Sequence, residues 1–181
     1  GYDAEMCEIR KLLEENKQQF YDHKLNWGAK LSSYAREVEG LPSGTIPVFI
    51  ELILDIPYPS QSIIIDHHNL KSGDTKQSSI EQVAELLNVS LNRWQRMIAI
   101  NDVQWIDGLV DFGATKEEIE KIRQYDRKCQ GISDEDERKA EEAIKKIESY
   151  GSLAVVKISH IHASAVMDRL YGKFENILVV S

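Results

Sequence analysis

Apolar residues along this chain recur at two spacings, helical near both ends and strand-like between residues 47 and 65. Met6, Ile9, Leu12, Leu13 and Phe20 fall at near-helical spacing, and Asp3 and Glu5 sit at the positive N-terminal end, so the pattern predicts a helix over 3–19. Residues 21–45 are mixed. Leu25, Trp27, Leu31 and Tyr34 suit a core edge, and Gly40, Pro42 and Gly44 mark a loop. Residues 47–55 (PVFIELILD) read as a strand interrupted by Glu51, and Pro57 and Pro59 deny a helix after it. Ile63, Ile64 and Ile65 form a short buried strand that runs straight into Asp66, His67 and His68.

Beyond a polar loop at 70–77, Ser78 and Ser79 open a helix, with Glu81 and Gln82 placed for a capping box. Its apolar face is Ile80, Val83, Ala84, Leu86 and Leu87. A second helix is expected over 90–100, burying Leu91, Trp94, Met97 and Ile98 and ending at Asn101-Asp102. A short apolar segment over 103–112 follows, broken by Gly113. Helices are then expected over 115–125 and 133–149, the latter facing Ala140, Ala143, Ile144 and Ile147 inward. The last stretch alternates as strand 153–158, helix 163–171 and strand 176–180, a β-α-β unit. The fold class expected is α/β, a mostly parallel sheet flanked by helices. Its organisation is a core over 1–105, a helical connector over 106–150 and the start of a small C-terminal α/β domain over 151–181.

Composition narrows the partners. The chain has 181 residues, a formal net charge of −8 and a pI of about 5.2. That balance offers no basic track for a long duplex. No apolar run reaches the length of a membrane span, and Cys7 and Cys129 lie far apart without metal spacing. They read as reduced thiols in a cytoplasmic protein.

The chemistry-bearing positions begin with Asp66, His67 and His68. Groups just past the carboxyl ends of parallel strands line a ligand crevice, and all three types can bind a metal or move a proton. The plain alternative is a polar turn with surface histidines. Asp55 closes the preceding strand candidate and shares that crevice only if the two strands run parallel. Otherwise it makes a local turn. Asp102, after the 90–100 helix, is a further ligand candidate or an ordinary helix-boundary acid. Three acids and two imidazoles suit Mn²⁺ or Mg²⁺ better than Zn²⁺, and a pair of such ions would activate water. Arg127, beside Arg123 and Lys128, is a weaker candidate for a substrate phosphate, against a solvated helix face. His160 and His162 alternate at a strand exit, where they could meet one metal or one substrate phosphate, against a surface turn, and Trp94 and Trp105 suit a core better than base stacking.

The run Ile63-Ile64-Ile65-Asp66-His67-His68 resembles the defining motif of the DHH phosphoesterase superfamily. The resemblance extends in order along most of the chain. Asp55 falls at the second-motif aspartate, Asp66, His67 and His68 at the third motif, and Asp102 at the fourth. Residues 104–149 look like the connector, and 152–181 like the start of the C-terminal associated domain. It implies a DHH-type core, Asp55, Asp66, His67 and Asp102 as metal ligands to two ions, and His68 with Asp66 as catalytic groups. Gly1 looks like the glycine closing the first motif, so the first-motif acids would lie before residue 1. The glycine-rich substrate motif is absent before Ser181. The expected activity is hydrolysis of short oligonucleotides or small nucleotides by a metal-activated water, as in a nuclease or phosphodiesterase. The alternatives are a non-catalytic scaffold with an incomplete site, and a pyrophosphatase-like phosphoanhydride hydrolase. No membrane partner is expected, and a homodimer is left open.

Overall fold

A computed structural model of the chain describes residues 2–68, 77–159 and 162–181. The architecture is mixed α/β, and the chain divides into two compact units, Gly1–Ile122 and Arg123–Ser181.

The first unit starts with helix α1 (Ala4–Glu15), whose N-cap is Asp3, its side chain accepting from the Met6 N–H. The apolar spacing predicts this helix to residue 19, but it stops four residues earlier. The Asn16 side-chain amide takes the Leu12 carbonyl and Lys17 adopts a left-handed φ of 55°. A 3-10 turn (Leu31–Tyr34) and helix α2 (Ala35–Glu39) follow.

Strand β1 covers only Val48–Ile50 of the expected 47–55. Glu51 ends it by adopting a φ of 49°, which bends an L-residue chain out of the extended region. Strand β2 (Ile63–Ile65) pairs with β1 in parallel, Val48 opposite Ile63 and Ile50 opposite Ile65. The early end of β1 lengthens the β1–β2 connection to residues 51–62, enough chain for a parallel return without a helix. Asp55 sits inside that connection rather than at a strand end.

Helix α3 (Ser79–Leu87) opens on a capping box between Ser78 and Glu81. Helix α4 (Arg93–Asp111) has a second box, Asn92 with Gln95. The sequence predicts a helix ending near residue 100 and a separate segment after it. Instead α4 continues across a kink at Trp105, whose φ of 54° and ψ of −145° are not helical. Gly108 stands one turn on, where a Cβ would come within 2.4 Å of the Gln104 Cβ. The absent side chain lets the distorted turn close. Ile9 and Leu12 of α1, Ile65 of β2, Ile80 and Val83 of α3 and Ala99 of α4 form one buried cluster. That cluster locks the exit of β2 against α1, α3 and α4.

Helix α5 (Lys116–Cys129) carries the chain from the first unit into the second. There helix α6 (Asp134–Ile144) ends before the predicted residue 149, because 148–150 turn into a strand. Strand β3 (Glu148–Tyr150) pairs antiparallel with β4 (Leu153–Lys157) through a tight turn at Gly151, φ 61°. Helix α7 (Ser164–Leu170) and strand β5 (Asn176–Val180) complete the expected β-α-β unit, with β5 parallel to β4. Ala140, Val156, Ala165, Val166 and Leu170 form this unit's core. Beside that core, Asp168 pairs with both Arg123 and Arg127, and all three side chains are buried. Cys7 and Cys129 are not joined in a disulfide. Among the described residues, no helix is long and apolar enough to cross a membrane.

Candidate metal centre

β1 and β2 end level, so the residues that follow them leave the sheet at the same edge. Glu51 N–H still donates to the Ile65 carbonyl at 2.9 Å. The chain then turns at both exits, directing Glu51 from one and His67 and His68 from the other. Asp102 arrives from α4. One ligand atom each from Glu51, His67, His68 and Asp102 lies within 4.8 Å of the others, a spacing that could hold a metal ion.

His67 is the centre of this group, with a side chain only 7% exposed. Its Nε2 stands 2.8 Å from Asp102 Oδ2. Yet neither atom has an aligned hydrogen-bond partner, and both are buried. The two atoms face each other at short range without a satisfied hydrogen-bond geometry, as two ligand atoms converging on one ion would. On the other side of the ring, Nδ1 lies 3.1 Å from Ser79 Oγ, 3.3 Å from Glu51 Oε1 and 3.8 Å from Glu5 Oε2. The His68 ring packs on that of His67 with centroids 3.9 Å apart. Its Nε2 is 3.6 Å from Glu51 Oε1, and its side chain is 47% exposed.

The electrostatics favour a cation. Glu5 is buried on α1, where Oε1 accepts from the Ile80 N–H at 2.9 Å and Oε2 has no hydrogen-bond partner. Burial, then the neighbouring Asp102, push its pKa up to about 10. Burial raises Asp3 to about 6, with Asp102 and Glu51 adding to the shift. The contact with Asp102 raises His67, while burial opposes it. Carboxylates crowded out of water hold protons they would otherwise lose, and a divalent ion relieves the same crowding. Two imidazoles and two carboxylates, with orphaned buried atoms on His67 and Asp102, could hold a divalent cation.

The other sequence candidates fall elsewhere. Asp66 Oδ1 accepts from the His68 N–H at 2.8 Å, which shapes the turn carrying both histidines. Asp55 accepts from Ser32 N–H at 2.9 Å and Ser32 Oγ–H at 2.7 Å, bonds that hold its pKa below the ordinary value. It is not in the ligand group. Arg127 belongs to the second unit, where its guanidinium bonds Glu137 and Asp168. His162 is half-buried in that unit too, and His160 lies outside the described residues.

Sequence reasoning did not single out Glu51, Glu5 or Ser79. Glu51 had a signal: a lone acid interrupting an apolar strand marks where the strand ends. Glu5 and Ser79 had none beyond their ordinary places near helix starts. No family model matches the chain, and neither a curated protein nor a solved structure does.

Proposed function

We propose that the chain is the core of a divalent-metal-dependent phosphoesterase of the DHH type, a cytoplasmic enzyme acting on short oligonucleotides or small nucleotides. The observation that carries this reading is the buried, unaligned approach of His67 Nε2 to Asp102 Oδ2, with Glu51 and His68 completing a ligand group. The strand exit into Asp66-His67-His68 and its resemblance to the superfamily's motif supply the reaction class.

His67, Asp102, Glu51 and His68 would hold the cation. When bound, it supplies a lowered water pKa and charge neutralisation at a phosphoryl group. The protein's own groups do the rest. Asp102 reaches the site from α4 and Glu51 from the turn after β1, and burial of His67 keeps bulk water from its ring. His68 is the most exposed of the four groups, so a phosphate would reach the cation past its ring. Asp66 sets the His68 backbone through its N–H and so aims that ring. The formal charge of −8 disfavours long nucleic acid and suits a small substrate delivered with its own cation.

The test is hydrolysis of a dinucleotide in the presence of Mn²⁺, compared with a His67→Ala variant. Mn²⁺-dependent release of mononucleotide that the substitution abolishes is the expected result. Phosphate release from pyrophosphate alone would move the reaction to phosphoanhydrides. Equal turnover by both proteins would remove the site from the mechanism.

A further inference from the structure

We propose that Ser79 is a positioning residue for this centre. Its hydroxyl fixes the His67 ring tautomer so that Nε2, not Nδ1, is the nitrogen offered to a divalent cation. The inference rests on the reading of Glu51, His67, His68 and Asp102 as a cation site.

Ser79 is the first residue of α3 and is fully buried. Ser78 accepts from the Glu81 N–H and completes the capping box with the Glu81 side chain. The Ser79 hydroxyl is therefore not the cap. It donates to Glu51 Oε1 at 2.9 Å and stands 3.1 Å from His67 Nδ1. A serine hydroxyl has one hydrogen. Since that hydrogen goes to Glu51, the oxygen meets Nδ1 as an acceptor, and Nδ1 must carry the N–H. Glu51 Oε1 at 3.3 Å is an acceptor on the same side of the ring and favours the same assignment. The opposite nitrogen then presents its lone pair towards Asp102 Oδ2, where the geometry shows no aligned hydrogen bond.

One oxygen thus joins two ligands from different strands. It orients the Glu51 carboxylate and selects the His67 tautomer at once. Losing such an outer partner typically weakens metal affinity by about ten- to a hundred-fold.

The test uses the full chain in wild-type, Ser79→Ala and Ser79→Thr forms. Mn²⁺ affinity is measured by calorimetry. The ring nitrogens of His67 are read by long-range ¹H–¹⁵N NMR with Zn²⁺, a diamagnetic probe of the same donors. The wild type should show Nδ1 protonated and Nε2 coordinated. Ser79→Ala should lose affinity by about ten- to a hundred-fold and lose the single ring pattern, and Ser79→Thr, which keeps the hydroxyl, should recover most of both. Wild-type affinity and ring pattern in Ser79→Ala would overturn the role of Ser79 while leaving the metal centre standing. A wild-type ring that carries its proton on Nε2 would overturn it even if Ser79→Ala does not fold. A wild-type His67 indifferent to both ions would instead remove the metal reading, and this inference with it.

Discussion

His67 Nε2 and Asp102 Oδ2 approach to 2.8 Å without forming an aligned hydrogen bond, although both are buried. The Asp102 carboxylate beside it raises the His67 pKa, while burial opposes the shift. A cation bound to both atoms satisfies them without needing the alignment. The two donors come from separate elements, the β2 exit and α4.

Asp102→Asn keeps the shape of the side chain and removes its charge. Asp102 raises the pKa of both Glu5 and Asp3 by repulsion. The metal-free variant should therefore be at least as stable as the wild type at neutral pH. Its Mn²⁺ affinity should fall by more than about a hundredfold, beyond the ten- to hundredfold losses typical of second-sphere changes. Thermal melts with and without Mn²⁺ measure both, and a variant less stable without metal would count against the crowding described here.

Stability without metal should depend on pH in a defined direction. The folded-state pKa values of Asp3 and Glu5 lie above their ordinary values, so the folded chain binds these protons more tightly than the unfolded chain. The stabilisation is present below the ordinary pKa and is lost as pH rises. For Asp3 the window runs from 3.8 to about 6, and for Glu5 from 4.5 towards about 10. Each group lowers stability by up to roughly 1.4 kcal/mol per pH unit within its window. Denaturant titrations across this range should show the decline, and saturating Mn²⁺ should flatten it. A profile that rises with pH without metal would contradict the assignment.

Glu51 and Asp55 are separable by mutation. Glu51 lies in the ligand group, whereas Asp55 bonds Ser32. Glu51→Gln should weaken Mn²⁺ binding strongly, and Asp55→Asn should leave it near the wild-type value. Calorimetry on the two variants decides, and the reverse order would return Asp55 to the metal shell.

Asp168 neutralises two buried guanidinium groups in the second unit. Asp168→Asn leaves Arg123 with Asp126 and Arg127 with Glu137 as their remaining acidic partners. Breaking a buried pair of this kind costs about 3 kcal/mol. Hydrogen exchange in α6 and α7 should accelerate while Mn²⁺ binding by the first unit is unchanged. Unaltered exchange would mean that the network contributes little.

Much of this arrangement was legible from residue pattern alone. The 63–65 strand, the 79–87 helix and the 176–180 strand follow from local apolar runs and capping residues, and they stand where expected. His67, His68 and Asp102 were picked out because their types and positions at element ends are chemically informative. Less local features were hidden. Glu51 looked like a flaw in a strand because its φ of 49° is a backbone choice made by tertiary packing. Asp55 looked like a strand end because the strand's true length, Val48–Ile50, depends on that same turn. Glu5 reaches Ile80 across 75 positions of sequence, a pairing no local pattern records. Helix α4 continued through Trp105 because its interior distortion, closed around Gly108, has no periodic signature.

The central claim is tested most directly by a crystal of the chain soaked with Mn²⁺ and measured at the manganese absorption edge. An anomalous peak bounded by His67 Nε2, Asp102, Glu51 and His68 is the predicted result. A fully soaked crystal with no peak there, or with one only at another place, would contradict it.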